Sequence, residues 1–101
     1  MKLRKRLDNV TVGEKVVITF DFAKELAIGE TLGAPTVTVS VLSGVDADPA
    51  ALKNGAAVVS GTGVLQPVVA LLPGVDYELV CLCPTSNVNK TLSRIGRLCV
   101  E

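Results

Sequence analysis

The chain contains no histidine and no tryptophan, and its only aromatic residues are Phe20, Phe22 and Tyr77. Without histidine, the usual general base near neutral pH and the commonest metal ligand are both missing. Cysteine is scarce and odd in number, with Cys81, Cys83 and Cys99, which argues against a disulfide framework. Cys81 and Cys83 stand two apart and so share a face of one strand. Their spacing suits neither a zinc pair nor a Cys-x-x-Cys redox centre. They read as free, mostly buried thiols packing as small hydrophobes; a Cys99 bridge to one of them across the sheet is the alternative. No apolar run approaches the length of a membrane span. The basic start is followed by Leu7 to Glu14, which lacks an apolar h-region, so export by a signal peptide is not expected. The sequons at Asn9 and Asn89 then read as chance, and the chain as one made in the cytoplasm.

What is present points to sheets. Of 101 residues, 49% are hydrophobic, and valine and alanine supply much of that share. β-Branched side chains fit a pleated surface. A chain of this length forms one domain that buries roughly two-thirds of its unfolded surface. The formal net charge is zero, but it is segregated. Residues 1–15 carry Lys2, Arg4, Lys5, Arg6 and Lys15 against Asp8 and Glu14, a sum of +3, which leaves −3 for the rest. The body therefore offers no basic field to nucleic acid.

Period-two patterns dominate. Val16, Ile18, Phe20 and Phe22 alternate with polar neighbours, as do Val37, Val39 and Val41 with Thr36, Thr38 and Ser40. Residues 56–60 and 64–71 read as short strands, and Pro67 marks the second as an edge or a bulge. Val75, Tyr77, Leu79, Cys81 and Cys83 fall on one face of the next strand, and residues 91–100 make the last. Asp46 to Gly55 breaks the pattern as one or two helical turns, with Asp48 as cap and Pro49 at the first helical position. Leu52 should plug the core there.

The most informative run is Leu71-Leu72-Pro73-Gly74-Val75-Asp76-Tyr77. Pro73 fixes φ, Gly74 permits the positive φ of a tight turn, and Tyr77 follows three residues later. This is the tyrosine-corner pattern of Greek-key sandwiches, with the hydroxyl expected to return to the backbone of the Leu72–Val75 turn. The sequence thus predicts an all-β fold: an Ig-like or fibronectin III-like antiparallel β-sandwich of about seven strands with one short helical turn, over residues 14–101. Residues 1–13 read as a basic N-terminal arm.

Chemistry is sparse. Asp46 and Asp48 read as a helix cap, since two carboxylates without acidic neighbours make a poor cation site. Neither Cys81 nor Cys83 has the base or the electropositive surroundings that a thiolate nucleophile needs. Gly61-Thr62-Gly63 has no lysine and no following helix, so it is a turn and not a phosphate cradle. No enzyme, cofactor, metal or small-molecule substrate is expected. The basic arm is the candidate contact surface: Lys2, Leu3, Arg4, Lys5, Arg6 and Leu7, with the leucines as apolar anchors against an acidic neighbour.

The order of segments then resembles a known group. Val16 to Phe22 is followed by Gly29-Glu30-Thr31-Leu32, Pro35-Thr36-Val37-Thr38-Val39 and Ser43-Gly44-Val45-Asp46. Pro49, Leu52, Gly55, Val64-Leu65-Gln66-Pro67-Val68, Gly74-Val75-Asp76-Tyr77 and Arg97-Leu98-Cys99-Val100 complete it. Over residues 14–100 the chain is similar to the small Ig-like virion proteins of tailed bacteriophages described as fiber–tail adaptors. The resemblance implies a non-enzymatic structural protein of the virion, assembled in the bacterial cytoplasm, whose partners are other virion proteins and copies of itself. It would join tail or neck components to fibers, with the arm and a Val64–Leu71 edge as its two contact surfaces. A capsid decoration protein, with one flat docking face, is the alternative. An adhesion or carbohydrate-binding module would need exposed aromatics, and all three read as inward.

Overall fold

A computed structural model describes residues 5–101, with side chains from Val10 onward. Among the described residues seven strands form: β1 Lys5–Val10, β2 Lys15–Asp21, β3 Thr36–Ser43, β4 Val58–Ser60, β5 Gly63–Val69, β6 Asp76–Pro84 and β7 Thr91–Val100. A single 3-10 turn, Pro49–Leu52, lies between β3 and β4. One sheet has the order β1-β7-β6-β3 and the other β2-β5-β4. Their inner faces bury Ile18, Phe20, Val37, Val64, Val68, Tyr77, Leu79, Cys81 and Leu98 in one core. Leu52 closes it from the 3-10 turn, 2% exposed.

The alternation that marked β6 holds along its length. Val75, Tyr77, Leu79, Cys81 and Cys83 are all buried, because successive residues of a strand point to opposite faces. The register pairs Asp76 with Cys99, Cys81 with Arg94 and Cys83 with Leu92. Leu98 and Val100 are buried on β7, so Cys99 between them turns to the other face, away from Cys81 and Cys83. All three cysteines are free thiols. Burial, with the neighbouring Cys83 adding to it, pushes the Cys81 thiol up to about 12, and burial raises Cys83 as well.

Three expectations need correction. The basic segment does not run as an arm to residue 13, because Lys5–Val10 is a strand paired with β7. That pairing is parallel, with Lys5 opposite Gly96 and Val10 opposite Val100. β1 passes through the Thr11–Glu14 turn into the opposite sheet, so no hairpin forces it antiparallel to its neighbour. The second correction concerns β5, which is no edge: it lies between β2 and β4. Pro67 is nonetheless tolerated, for a reason the register supplies. β4 pairs only with Gly63 to Leu65. The Pro67 carbonyl turns to that side and accepts Asn54 N–H at 2.9 Å. The Pro67 nitrogen points the same way, beyond the end of β4, so no ladder bond is lost.

The third concerns the tyrosine. Tyr77 is 1% exposed, but its hydroxyl donates to Asp46 Oδ2 at 2.6 Å and not to the Leu72–Val75 turn. Asp46 Oδ1 accepts Asp48 N–H at 2.9 Å. Asp48 occupies the N-cap position without a side-chain cap bond. The turn is held from elsewhere: Gly74, at φ 74°, donates its N–H to Val100 O, and Val100 N–H donates to Val75 O. Gly44, at φ 92°, crosses directly over it, and a Cβ there would lie 2.9 Å from Gly74 O. The β3 exit therefore brings Asp46 to the tyrosine hydroxyl. Burial, and then the bond to the Asp46 carboxylate, hold the Tyr77 hydroxyl well above the usual tyrosine range.

Candidate functional site

The β2–β3 and β6–β7 connections meet at one end of the sandwich, beside the β4–β5 turn, where Phe22 N–H donates to Thr62 O at 2.9 Å. Loops this long do not pack by hydrophobic burial alone, and here polar groups tie them together. Glu30 is the hub. Its Oε1 accepts Ala27 N–H at 3.0 Å and the Lys90 ammonium at 2.7 Å, and its Oε2 accepts the Thr85 hydroxyl at 3.3 Å. Lys90 also donates to Glu25 O at 2.5 Å. Arg94 pairs with Glu25 Oε1 and lies over the Phe22 ring, 5.1 Å from its centroid. Two backbone-directed bonds complete the join: Thr31 N–H to the Ser86 hydroxyl, and Ser86 N–H to Thr31 O.

The Glu30 side chain is 7% exposed. Lys90 first, and the Ala27 N–H next, hold its carboxyl below the usual carboxylate value. A carboxylate that accepts several charge-assisted and backbone bonds stays ionised, which fixes the brace at neutral pH. The tips above it are apolar: Ile28 is 107% exposed and Val88 95%. Each stands on a loop stiffened by these cross-links, so a rigid polar base carries two solvent-facing aliphatic side chains. Rigid presentation lowers the entropy that binding would cost.

No motif or periodicity singled this end out. Ile28 and Val88 are isolated apolar residues between loop residues. Glu30 and Lys90 are 60 positions apart. A legible hint was the pair Ile28-Gly29 and Val88-Asn89, large aliphatics at turn positions where polar residues are the rule. Of the contact residues expected from the sequence, Lys2, Leu3 and Arg4 lie outside the described residues. Lys5, Arg6 and Leu7 are in β1, where Lys5 and Arg6 pair with Gly96 and Arg97 of β7 and Leu7 falls at the irregularity in the register. Pro73, Gly74 and Tyr77 come together at the opposite end as a fold lock. Among the described residues no group of three or more His, Cys, Asp or Glu side chains is placed to hold a metal.

The second surface of note is the outer face of the β2–β5–β4 sheet. Val17 pairs with Pro67 across it, and Leu65 lies between Thr19 and Val58. Val17 and Val58 are 57% and 52% exposed. The face mixes Val17, Val58, Leu65 and Pro67 with the polar Lys15, Thr19, Asp21 and Ser60.

The strand orders β2-β5-β4 and β1-β7-β6-β3 define an immunoglobulin-like β-sandwich. They correspond to strands B, E and D of that fold on one side and C, F and G on the other, with the first strand added to G. The braced end is where such sandwiches carry their B–C and F–G loops. Searches against protein-family models and against curated proteins found no match for this chain.

Proposed function

We propose that the chain is a non-enzymatic structural protein of a tailed-bacteriophage virion, a small adaptor that joins tail or neck components to fibers. The observation that carries this reading is the braced loop end. Two connections are locked by Glu30, Lys90, Glu25 and Arg94, and they present Ile28 and Val88 to solvent. A preformed, catalytically plain, partly apolar tip suits protein–protein docking. The likeness of residues 14–100 to fiber–tail adaptors supplies the virion setting. The basic run in residues 2–6, against the acidic surplus downstream, would add contacts with a neighbouring subunit.

The exposed valines Val17 and Val58 on the outer face of the β2–β5–β4 sheet favour one second reading, a capsid decoration protein. A carbohydrate-binding role finds less support, because Phe20, Phe22 and Tyr77 are 3%, 0% and 1% exposed and leave no ring free to stack on a sugar. Immunogold labelling of intact particles tests the proposal: gold should collect at the neck or the tail–fiber junction. Gold spread over the capsid shell would replace the adaptor with the decoration protein, and tailed particles without label would overturn both. Within labelled particles, Ile28→Asp with Val88→Asp should abolish incorporation while leaving the melting temperature unchanged.

A further inference from the structure

The four sheet edges are not equally protected. β4 is three residues long, and β1 has an irregular register between Arg6 and Asp8. β3 is bulged near Val41, and Lys53 Nζ donates to its Val37 carbonyl at 3.0 Å, beside the 3-10 turn. β2 has none of these devices. Its seven residues run without proline, glycine or bulge in an unbroken register with β5. An edge of this kind is a template for another strand.

The ladder shows which groups are available. Phe22 N–H bonds Thr62 O, and Ala70 N–H bonds Glu14 O. Hydrogen-bonded pairs in an antiparallel ladder alternate, so the even-numbered residues of β2 are the ones bonded to β5. The N–H and C=O groups of Lys15, Val17, Thr19 and Asp21 therefore point to the open side, and their side chains are exposed. Among the described residues no other segment bonds to those backbone groups.

We infer that β2 is a self-association edge whose occupant is β2 of a second copy of this chain, antiparallel about a two-fold axis at Ile18. The charges at its ends choose both partner and register. In that register Lys15 stands opposite the second copy's Asp21, Val17 opposite its Thr19, and Asp21 opposite its Lys15. Only the outward-pointing residues then pair through hydrogen bonds, as the open ladder requires. A shift by one pair in either direction puts Lys15 opposite Thr19 or Ala23 and leaves both charges unmatched. Asp21 keeps Oδ2 for the contact, since its Oδ1 accepts Ala23 N–H at 2.9 Å. Two three-stranded sheets become one of six strands, and two Val17–Thr19 pairs cover part of the exposed valines. This edge pairing is independent of what the loop end binds.

Sedimentation equilibrium of the full chain tests it. Wild type should pass reversibly from monomer to dimer as concentration rises. Lys15→Asp and Asp21→Lys each put like charges opposite one another at both ends, and each should weaken the dimer by about tenfold or more. Mixing these two variants should restore association. In the mixed dimer the introduced aspartate faces the introduced lysine at one end, and the native Lys15 and Asp21 face each other at the other. The double variant should associate like wild type. Val17→Pro, which removes an outward N–H and no bond to β5, should abolish the dimer with little change in melting temperature. A wild-type chain that stays monomeric at all concentrations would overturn the inference. So would a dimer that neither charge reversal weakens, or variants that stay apart on mixing.

Discussion

Replacing Tyr77 by phenylalanine isolates one hydrogen bond in an otherwise unchanged core. The ring is 1% exposed, packed where β6 meets Val41 of β3 and Leu98 of β7, and phenylalanine fills the same volume. What disappears is the donation to Asp46 Oδ2 at 2.6 Å. Bonds to a charged acceptor contribute about 1.5–3 kcal/mol. Asp46 is only partly buried and can turn its freed oxygen to water, so the lower end applies, about 1–1.5 kcal/mol. For a domain of this size that is a fall in Tm of roughly 4–12 °C. Urea unfolding should show a lower midpoint with the same slope. The decisive measurement is a double-mutant cycle: in an Asp46→Ala background, Tyr77→Phe should cost almost nothing. Equal cost in both backgrounds would refute the bond as the source of the stability.

The same bond has a pH signature that this composition makes unusually clean. Tyr77 is the only tyrosine and there is no tryptophan, so ultraviolet absorbance reports its ionisation alone. Its folded value is raised above the ordinary 10.0, chiefly by burial. The stabilisation is therefore complete below pH 10 and is lost as pH rises from there through the folded value. Tyrosinate absorbance should appear together with unfolding in wild type. In Asp46→Ala it should begin at lower pH. A wild-type midpoint at the ordinary value with the fold intact would contradict the buried geometry.

Three further outcomes follow from named contacts. Glu30 has a lowered folded value, so its contribution is present above the ordinary 4.5 and is lost as pH falls through the folded value; Glu30→Gln should flatten the acid limb of Tm against pH, and an unchanged limb would exclude Glu30 as the hub. Gly44→Ala meets both a positive φ and a Cβ 2.9 Å from Gly74 O, whereas Gly13→Ala meets a positive φ with nothing within 4 Å. By denaturant titration the first should cost about 3 kcal/mol and the second about 1, and equal costs would remove the close approach from the account. Cys81 and Cys83, both buried with raised thiol values, should resist alkylation at about pH 8 in the folded chain and react once it is unfolded in urea, as mass spectrometry would record.

Much of the fold was legible because its strands carry their own period. β7 spans the residues that the pattern marked, and β6 has its inward positions filled by apolar residues along its whole length. Features that failed to show depend on partners far along the chain. Gln66 interrupts the inward row of β5, yet it is 1% exposed and donates to Gly55 O and Pro67 O at 3.1 and 2.7 Å. No local rule marks a polar residue as buried when one of its acceptors comes from a loop eleven residues away. Pro67 wrongly suggested an edge or a bulge, because the shortness of β4, which pairs only with Gly63 to Leu65, leaves room for a proline in a central strand. Lys5–Val10 carries too many charges to read as a strand, and its pairing rests on backbone groups that β7 leaves open. Asp46 came to Tyr77 only because Gly44 lets the β3 exit cross the Pro73-Gly74 turn.

The two ends of the sandwich are held by different physics, and that difference bears on function. At the tyrosine end the contacts are the buried hydroxyl's bond to Asp46, a close glycine crossing and backbone bonds from Gly74 and Val100, none of them an ion pair. At the loop end they are ion pairs whose cations are about one-third exposed, 32% for Lys90 and 30% for Arg94. Such pairs contribute little each and weaken with ionic strength. Local opening of the native state starts where stabilisation is weakest. High salt should therefore loosen the Glu30–Lys90 and Arg94–Glu25 pairs before it touches the Tyr77 end, giving a molecule with an intact core and loosened loops. In the proposed adaptor, salt should weaken docking before it weakens the fold, because the groups that shape the tip are not those that close the core.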